Sequence, residues 1–231
     1  MSAIPLCSRV SDGLQCPACK KSCIVKNGST KTGKQQYYCK ICTRRFIAFY
    51  TYNAYLPTVD NSIVILTKEG LGIRSIARYL GISCTTVLKR LLKIAERLTA
   101  PITFSNGTYE VDELHTYIGN KSQAAWIVYA LERTTGNVVA FNMGNRSSST
   151  IATVIDRLGL LSAQCIYTDK LPHYRSIISK RIHKVTPYGT NHIERKNLTL
   201  RTHLKRLSRR TICFSKSVVM LTACLKIYFW G

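Results

Sequence analysis

Four cysteines near the N-terminus constrain the fold of this chain more than any other feature of its sequence. They form two pairs, Cys16-Pro-Ala-Cys19 and Cys39-Lys-Ile-Cys42, separated by nineteen residues. This spacing is typical of a four-thiolate zinc site, because a two-residue gap lets both thiolates of a pair approach one ion. We therefore predict a zinc-ribbon-like domain over residues 1–50, stabilised by structural Zn²⁺ on these four cysteines. A hairpin turning at Asn27-Gly28 is expected between the pairs.

The charge of the chain narrows the class of partner. Its 231 residues carry a formal net charge of +23, which predicts a polyanionic partner. No apolar run reaches the ~18 residues that span a bilayer, and the N-terminus lacks the apolar segment of a signal peptide. We expect nucleic acid as the partner, no membrane association and a cytoplasmic location.

A second segment, residues 61–99, has the pattern of two helices joined by a short turn. Apolar residues recur at helical spacing from Ile73, Gly81 interrupts them, and Ser83 is suited to cap the next helix. This pattern predicts a helix-turn-helix DNA-binding domain. The residues expected to face the DNA on its second helix are Thr85, Thr86, Lys89, Arg90 and Lys93.

The third segment, residues 106–231, alternates strand-like and helix-like patterns. Three strand-like stretches come first, followed by the order helix, strand, helix, strand, helix. Strands and helices in this order predict a ribonuclease H-like mixed β-sheet flanked by helices. The predicted fold class is thus multi-domain α/β.

Acidic residues are few enough in this segment to be considered one by one. Asp112 lies on the first predicted strand, Asp169 ends the fourth, and Glu194 opens a basic helix. The first and fourth strands are expected to be neighbours, so the three carboxylates can converge. Carboxylates that meet repel one another without a cation, and an all-oxygen set suits Mg²⁺ or Mn²⁺. We predict these three as catalytic metal ligands.

Other charged residues receive different expectations. Glu110 shares a strand face with Asp112 but is left outside the ligand set, and Glu113 is expected to point the other way. Glu132 and Asp156 are expected to be solvated. Arg201 follows Glu194 by two helical turns and is expected to hold a DNA phosphate beside the metal.

Several stretches resemble a transposase of the insertion-sequence-one family. They are the cysteine pairs, "SIARYLGIS", "VDELHTYIGNKSQAAW", "YTDKLPHY" and "HIERKNLTLRTHLKRLSRRTICFSKS". The resemblance covers nearly the whole chain and implies that Asp112, Asp169 and Glu194 are an Asp-Asp-Glu triad. The chain has Leu114-His115 where the family pattern predicts Gln-Trp.

The resemblance also implies a function. An enzyme of this family binds the terminal inverted repeats of a bacterial insertion sequence, then cuts and joins double-stranded DNA with Mg²⁺. A homo-oligomer on DNA, contact with target DNA and association with the bacterial nucleoid are implied too. Two alternatives remain open: a ribonuclease H-like DNA nuclease without strand transfer, and a zinc and helix-turn-helix regulator without catalysis.

Overall fold

The computed structural model describes residues 13–49, 52–101 and 106–231. The chain divides into two units, one ending at Tyr55 and the other spanning Leu56–Gly231. No helix in the described part of the chain is long and apolar enough to cross a membrane.

The first unit contains a three-stranded antiparallel sheet, with β1 (Ile24–Ser29), β2 (Gln35–Cys39) and β3 (Arg45–Ile47) in that order. The prediction of a turn at Asn27-Gly28 is wrong. These two residues form a bulge inside β1, with Gly28 at φ 71°, a left-handed conformation that glycine adopts without strain. The chain turns instead after Thr30, whose hydroxyl accepts a hydrogen bond from the backbone N–H of Lys34 at 3.0 Å.

The second unit begins with three helices, α1 (Val59–Lys68), α2 (Ile73–Leu80) and α3 (Cys84–Arg97). As the sequence predicts, α2 ends at Gly81, which takes the left-handed conformation at φ 62°. Ser83 caps α3, and its hydroxyl accepts the backbone N–H of Thr86 at 3.1 Å. The two helices and the tight turn predicted for this segment are therefore present.

A five-stranded mixed sheet forms the centre of the second unit, and its strand order is β6-β5-β4-β7-β8. The strands are β4 (Thr108–Tyr117), β5 (Ala124–Glu132), β6 (Val138–Gly144), β7 (Cys165–Tyr167) and β8 (His183–Lys184). The first three form an antiparallel meander, and β7 joins β4 in parallel. The predicted neighbours, first strand and fourth strand, are confirmed. Because β7 has only three residues, it pairs with β4 no further than Glu110, and the rest of β4 is an open sheet edge on that side.

Helices cover both faces of the sheet. They are α4 (Ser148–Leu160), α5 (Pro172–Ile177), α6 (Asn191–His203) and α7 (Val218–Trp230). One apolar core lies between the sheet and α4 and α5, and a second lies between the sheet and α6 and α7. The resulting architecture is a mixed α/β fold.

Helix α7 joins the two parts of the second unit. It packs against α1 and α3 on one side, and its Leu221 and Leu225 enter the second core on the other. A helix in contact with protein on both sides is expected to be apolar around its circumference. The run "VVMLTACLKIYFW" meets that expectation.

Candidate active site and cysteine cluster

Three carboxylates meet at the open edge of β4. Oxygen atoms of Asp112, Glu113 and Asp169 lie within 4.8 Å of one another. Asp112 and Glu113 are successive residues on β4, two and three positions beyond the last residue that pairs with β7, and Asp169 lies two positions after β7 ends. The end of β7 leaves room at this edge, so that side chains from both faces of β4 reach the same space. The convergence of Asp112 and Asp169 agrees with the sequence analysis.

Asp112 is held by two hydrogen bonds. Its Oδ1 accepts the backbone N–H of Glu113 at 2.8 Å, and its Oδ2 accepts the side-chain amide of Asn197 on α6 at 2.7 Å. Burial, with the charges of Glu113 and Asp169, raises the pKa of Asp112 from 3.8 to about 6. A carboxylate with a raised pKa beside other acids is stabilised by a bound cation.

Glu113 belongs to this cluster, although the sequence analysis expected only that it points away from Asp112. It does lie on the opposite face of β4 from Asp112, and Arg146 contacts its Oε2 at 3.3 Å. Its Oε1 is buried and has no hydrogen bond of good geometry among the described residues, although the buried hydroxyl of Tyr174 interacts with the same carboxylate. A buried carboxylate with so few partners is costly. Its position within the cluster suits a metal ligand, so the donor set fits a hard divalent cation.

Asp169 is the member of this cluster that is exposed to solvent. Its Oδ1 accepts the backbone N–H of Leu171 at 2.9 Å, so the side chain closes the turn that leads into α5. This bond holds the carboxylate in place.

Glu194 lies in the first turn of α6 and is exposed. It is not part of the cluster formed by the other three acids among the described residues; its Oε1 accepts the hydroxyl of Thr190 at 2.9 Å. The contact from α6 to Asp112 is made by Asn197, one helical turn further on. Asn197 also accepts a hydrogen bond from the buried hydroxyl of Tyr129 at 2.9 Å, so its amide connects β5 to Asp112.

Glu110 anchors α6 to the sheet. It is fully buried, and its Oε2 accepts the backbone N–H of Ile193 at 2.8 Å. Its Oε1 lies 2.9 Å from Arg133 Nε and 2.6 Å from His192 Nδ1. A carboxylate at a helix N-terminus is stabilised by the unpaired N–H groups there. Together with the packing of Ile193 and Leu200 in the second core, Glu110 therefore helps to fix where α6 lies relative to β4.

The two acids expected to be solvated, Asp156 and Glu132, differ in their exposure to solvent. Asp156 is exposed on α4, as predicted. Glu132 is 7% exposed, so that prediction is wrong. The hydroxyl of Thr135 donates a hydrogen bond to Glu132 at 2.6 Å, and the tight turn after β5 folds over the carboxylate.

The predicted DNA-contact residues differ in their surroundings. Thr85, Lys89 and Lys93 are exposed on α3. Thr86 is bonded to Ser83 at the start of α3, and Arg90 forms an ion pair with Asp60 of α1 at 2.5 Å.

Arg201 is half-buried at the far end of α6. It donates to the backbone carbonyl oxygens of Leu207 at 2.8 Å and of His115 at 3.3 Å. The second of these bonds gives the His115 carbonyl, on the open edge of β4, a hydrogen-bond donor. Burial lowers the pKa of the Arg201 guanidinium. The guanidinium keeps further N–H groups for an anion.

The four cysteines converge as their spacing predicts. Sγ atoms of Cys16, Cys19, Cys39 and Cys42 lie within 4.8 Å of one another. Backbone N–H groups of the same turns lower the pKa of the first thiol in each pair, that of Cys16 to about 6.

The two cysteine turns have the same backbone geometry. The N–H of the first cysteine donates to a carbonyl five residues on, and the residue after the second cysteine has positive φ, at Lys20 and Thr43. Two equivalent turns that stabilise thiolates suit a tetrahedral metal site.

Comparison with known proteins agrees with the sequence resemblance. The family model described as IS1 transposase matches residues 108–229. The IS1 protein InsB of Shigella flexneri is 38% identical over 109 residues, which cover 47% of this chain and 83% of that protein. InsB of IS1 2 from Escherichia coli (strain K12) is also 38% identical over 109 residues, 47% of this chain and 65% of that relative's length.

Two solved structures show a weaker similarity to this chain. A simian T-cell lymphotropic virus intasome in complex with PP2A regulatory subunit B56 gamma has a TM-score of 0.39 and 16% identity, over 71% of this chain and 66% of that chain. The HTLV-2 integrase catalytic core domain in complex with magnesium has a TM-score of 0.35 and 15% identity, over 55% of this chain and 86% of that chain. On the family match, which takes in the three-carboxylate cluster and α6, the chain belongs to the IS1 transposase family.

Proposed function

We propose that this protein is a DNA transposase that binds the terminal inverted repeats of a bacterial insertion sequence, cleaves the DNA and joins it to a target. The observation that carries the proposal is the meeting of Asp112 and Asp169 at the edge of β4, inside the region that matches the family. The proposed fold of this region is ribonuclease H-like, which the strand order β6-β5-β4-β7-β8 supports. The proposed functional segments keep the predicted bounds 1–50, 61–99 and 106–231.

The proposed catalytic residues are Asp112, Asp169 and Glu194, which would hold Mg²⁺ or Mn²⁺. Such ions activate a water or a 3′-hydroxyl and stabilise the leaving oxygen of a phosphoryl transfer. The chain itself fixes the orientation of Asp112 through Asn197, and that of Asp169 through Leu171 N–H. Glu194 would complete the set from the start of α6, a position that Glu110 helps to fix.

DNA binding is proposed for the cysteine-containing segment and for the helices that follow it, both of which precede the five-stranded sheet. Helices α2 and α3 would act as a helix-turn-helix, with the exposed Thr85, Lys89 and Lys93 toward the DNA. Thr86 and Arg90 are included in the proposal, although both also bond within the chain. The four cysteines would hold structural Zn²⁺. Arg201 would contact a phosphate beside the metal, and a homo-oligomer would bring DNA ends together.

Substitution of the proposed triad tests the function. A duplex with a free 3′-hydroxyl end is incubated with target plasmid, Mg²⁺ and the protein, and both nicked and joined products are measured. Alanine at Asp112, Asp169 or Glu194 should abolish both products while DNA binding persists. The matched control is Asp156→Ala, an exposed acid on α4, which should retain both.

The other outcomes identify the alternatives. Hydrolysis without joined products would indicate a nuclease. DNA binding with no product from the wild-type chain would indicate a regulator. Full activity in all three triad variants would overturn the catalytic assignment.

A further inference from the structure

An aromatic cavity lies farther along the open edge of β4. Its volume is about 470 Å³, within the range of ~300–1,000 Å³ typical of small-molecule sites. Four aromatic rings line it, in a nearly continuous series. The His115 ring lies 4.8 Å from that of Trp126 and 4.7 Å from that of Tyr117, and Tyr117 lies 5.6 Å from Phe214, all between ring centroids.

Three arginines complete the lining, Arg201, Arg206 and Arg209, and no acidic side chain lines it in the described part of the chain. Arg201 is bonded to backbone carbonyls, and Arg206 donates to the hydroxyl of Ser215 at 3.0 Å. Arg209 is exposed. Flat aromatic surfaces bind nucleobases by stacking, and guanidinium groups bind phosphates. A nucleotide presents both groups.

The cavity is connected to the acid cluster. Asp112 and His115 are three residues apart on β4, roughly 10 Å at 3.3 Å per residue. Arg146 contacts both the cavity and the acid cluster, since its guanidinium lies 4.6 Å from the Trp126 ring centroid and 3.3 Å from Glu113 Oε2. A distance of about 10 Å corresponds to about three nucleotides of a stacked strand, at 3.4 Å each.

We propose that this cavity receives one unstacked nucleobase of the DNA strand that is processed at the acid cluster, while its arginines hold the adjoining phosphates. The inference rests on the proposed function, because it takes DNA as the substrate. Enzymes that extrude a base select sites where unstacking costs least, such as mismatched or single-stranded bases. The cavity would therefore favour DNA that is already unpaired near the cleavage point.

Tryptophan fluorescence tests the proposal without any catalysis. The chain has two tryptophans, and Trp230 lies outside the cavity, where its indole donates to the Val138 carbonyl. In the Trp230→Phe variant, Trp126 is the only tryptophan, and excitation at wavelengths that tyrosine does not absorb reports on it alone. A short oligodeoxythymidylate is titrated in buffer without Mg²⁺, against an oligonucleotide of equal length made of abasic sites.

Stacking predicts that the thymidylate quenches Trp126 and that the abasic strand does not, although both carry the same charge. Equal quenching by both strands, or no quenching by thymidylate, would overturn the proposal. Affinity gives a second measurement that does not depend on Trp230. The Trp126→Ala variant should bind thymidylate roughly tenfold more weakly and the abasic strand unchanged, whereas misfolding would weaken both.

A matched pair of exposed arginines tests the phosphate contact. Arg209 lines the cavity and its neighbour Arg210 does not. Arg209→Ala should weaken thymidylate binding more than Arg210→Ala, and equal losses would count against the site. The proposed function has its own test, the cleavage assay with Mg²⁺, and it fails if that assay yields no cleaved DNA. Cleavage without base-dependent quenching refutes only the cavity, and quenching without cleavage refutes only the transposase assignment.

Discussion

The charge of Asp112 is predicted to destabilise the metal-free protein, so Asp112→Asn should be more stable than the wild type. Burial and the neighbouring acids raise the pKa of Asp112 from 3.8 to about 6, and each pKa unit corresponds to 1.36 kcal/mol. Full ionisation therefore costs about 3 kcal/mol of folding stability. Asparagine has one acceptor oxygen in place of two, so it loses one hydrogen bond, at about 1 kcal/mol. The expected net gain is about 2 kcal/mol at pH 7.5.

The sign of the pH dependence follows from the same shift. The folded protein binds the Asp112 proton more tightly than the unfolded chain does, because its folded pKa is the higher one. Stability therefore falls as pH rises from about 4 to about 6 and is constant with respect to this group above that window. At pH 4 the wild type is protonated at Asp112, and the advantage of asparagine should vanish.

Urea unfolding followed by tryptophan fluorescence measures this effect. Trp126 and Trp230 both belong to the Leu56–Gly231 unit, so the signal reports the unit that contains Asp112. Buffers omit Mg²⁺ and Mn²⁺ and contain no chelator. The exposed Asp156→Asn serves as control and should change stability by less than about 0.5 kcal/mol. An Asp112→Asn variant that is no more stable at pH 7.5, or that keeps the same advantage at pH 4, would refute the reasoning.

Three further predictions concern Glu110, the cations of α3 and the cysteine cluster. Glu110→Ala leaves the first turn of α6 and the half-buried Arg133 without their partner carboxylate, so urea unfolding should show a loss of about 3–5 kcal/mol. A loss under about 1 kcal/mol would contradict the anchoring role. For duplex DNA, Lys93→Ala should reduce the steepness of the fall of log affinity with log salt concentration by about one, without changing the free energy of unfolding. Arg90→Ala should weaken the salt dependence in the same way, and it should also lose up to ~1 kcal/mol of unfolding free energy from its ion pair with Asp60. Cys39→Ser should reduce bound zinc, measured by a chromogenic chelator after denaturation; unchanged zinc content would contradict the four-thiolate site.

Strand order was predictable because it follows from local patterns. Alternating and continuous apolar runs identify the strands, and their order in the chain limits the sheet to few arrangements. From that order the meeting of Asp112 with Asp169 could be predicted correctly. The helix ends at Gly81 and Ser83 were equally accessible, because a cap depends on one residue and its nearest neighbours.

Details that depend on distant residues were not predictable. Asn27-Gly28 is a strong turn signal, yet the pairing of β1 with β2 accommodates it as a bulge. Glu132 is buried by a turn that folds over it. Glu113 points away from Asp112 as alternation along a strand predicts, but its place beside the other two acids depends on where β7 stops pairing with β4, which the sequence does not show.

The sequence by itself determined the elements, their order, the cysteine cluster and the two acids that end up side by side, since all of these depend on short-range spacing and hydrophobic periodicity. The tertiary structure decided which further groups join them. It ended β7 early and so admitted Glu113, it used Glu110 to anchor α6, and it brought Asn197 to Asp112 while Glu194 stayed in solvent beside Thr190. These outcomes depend on where one strand stops pairing and where one helix is anchored, and both are properties of packing between residues far apart in the chain.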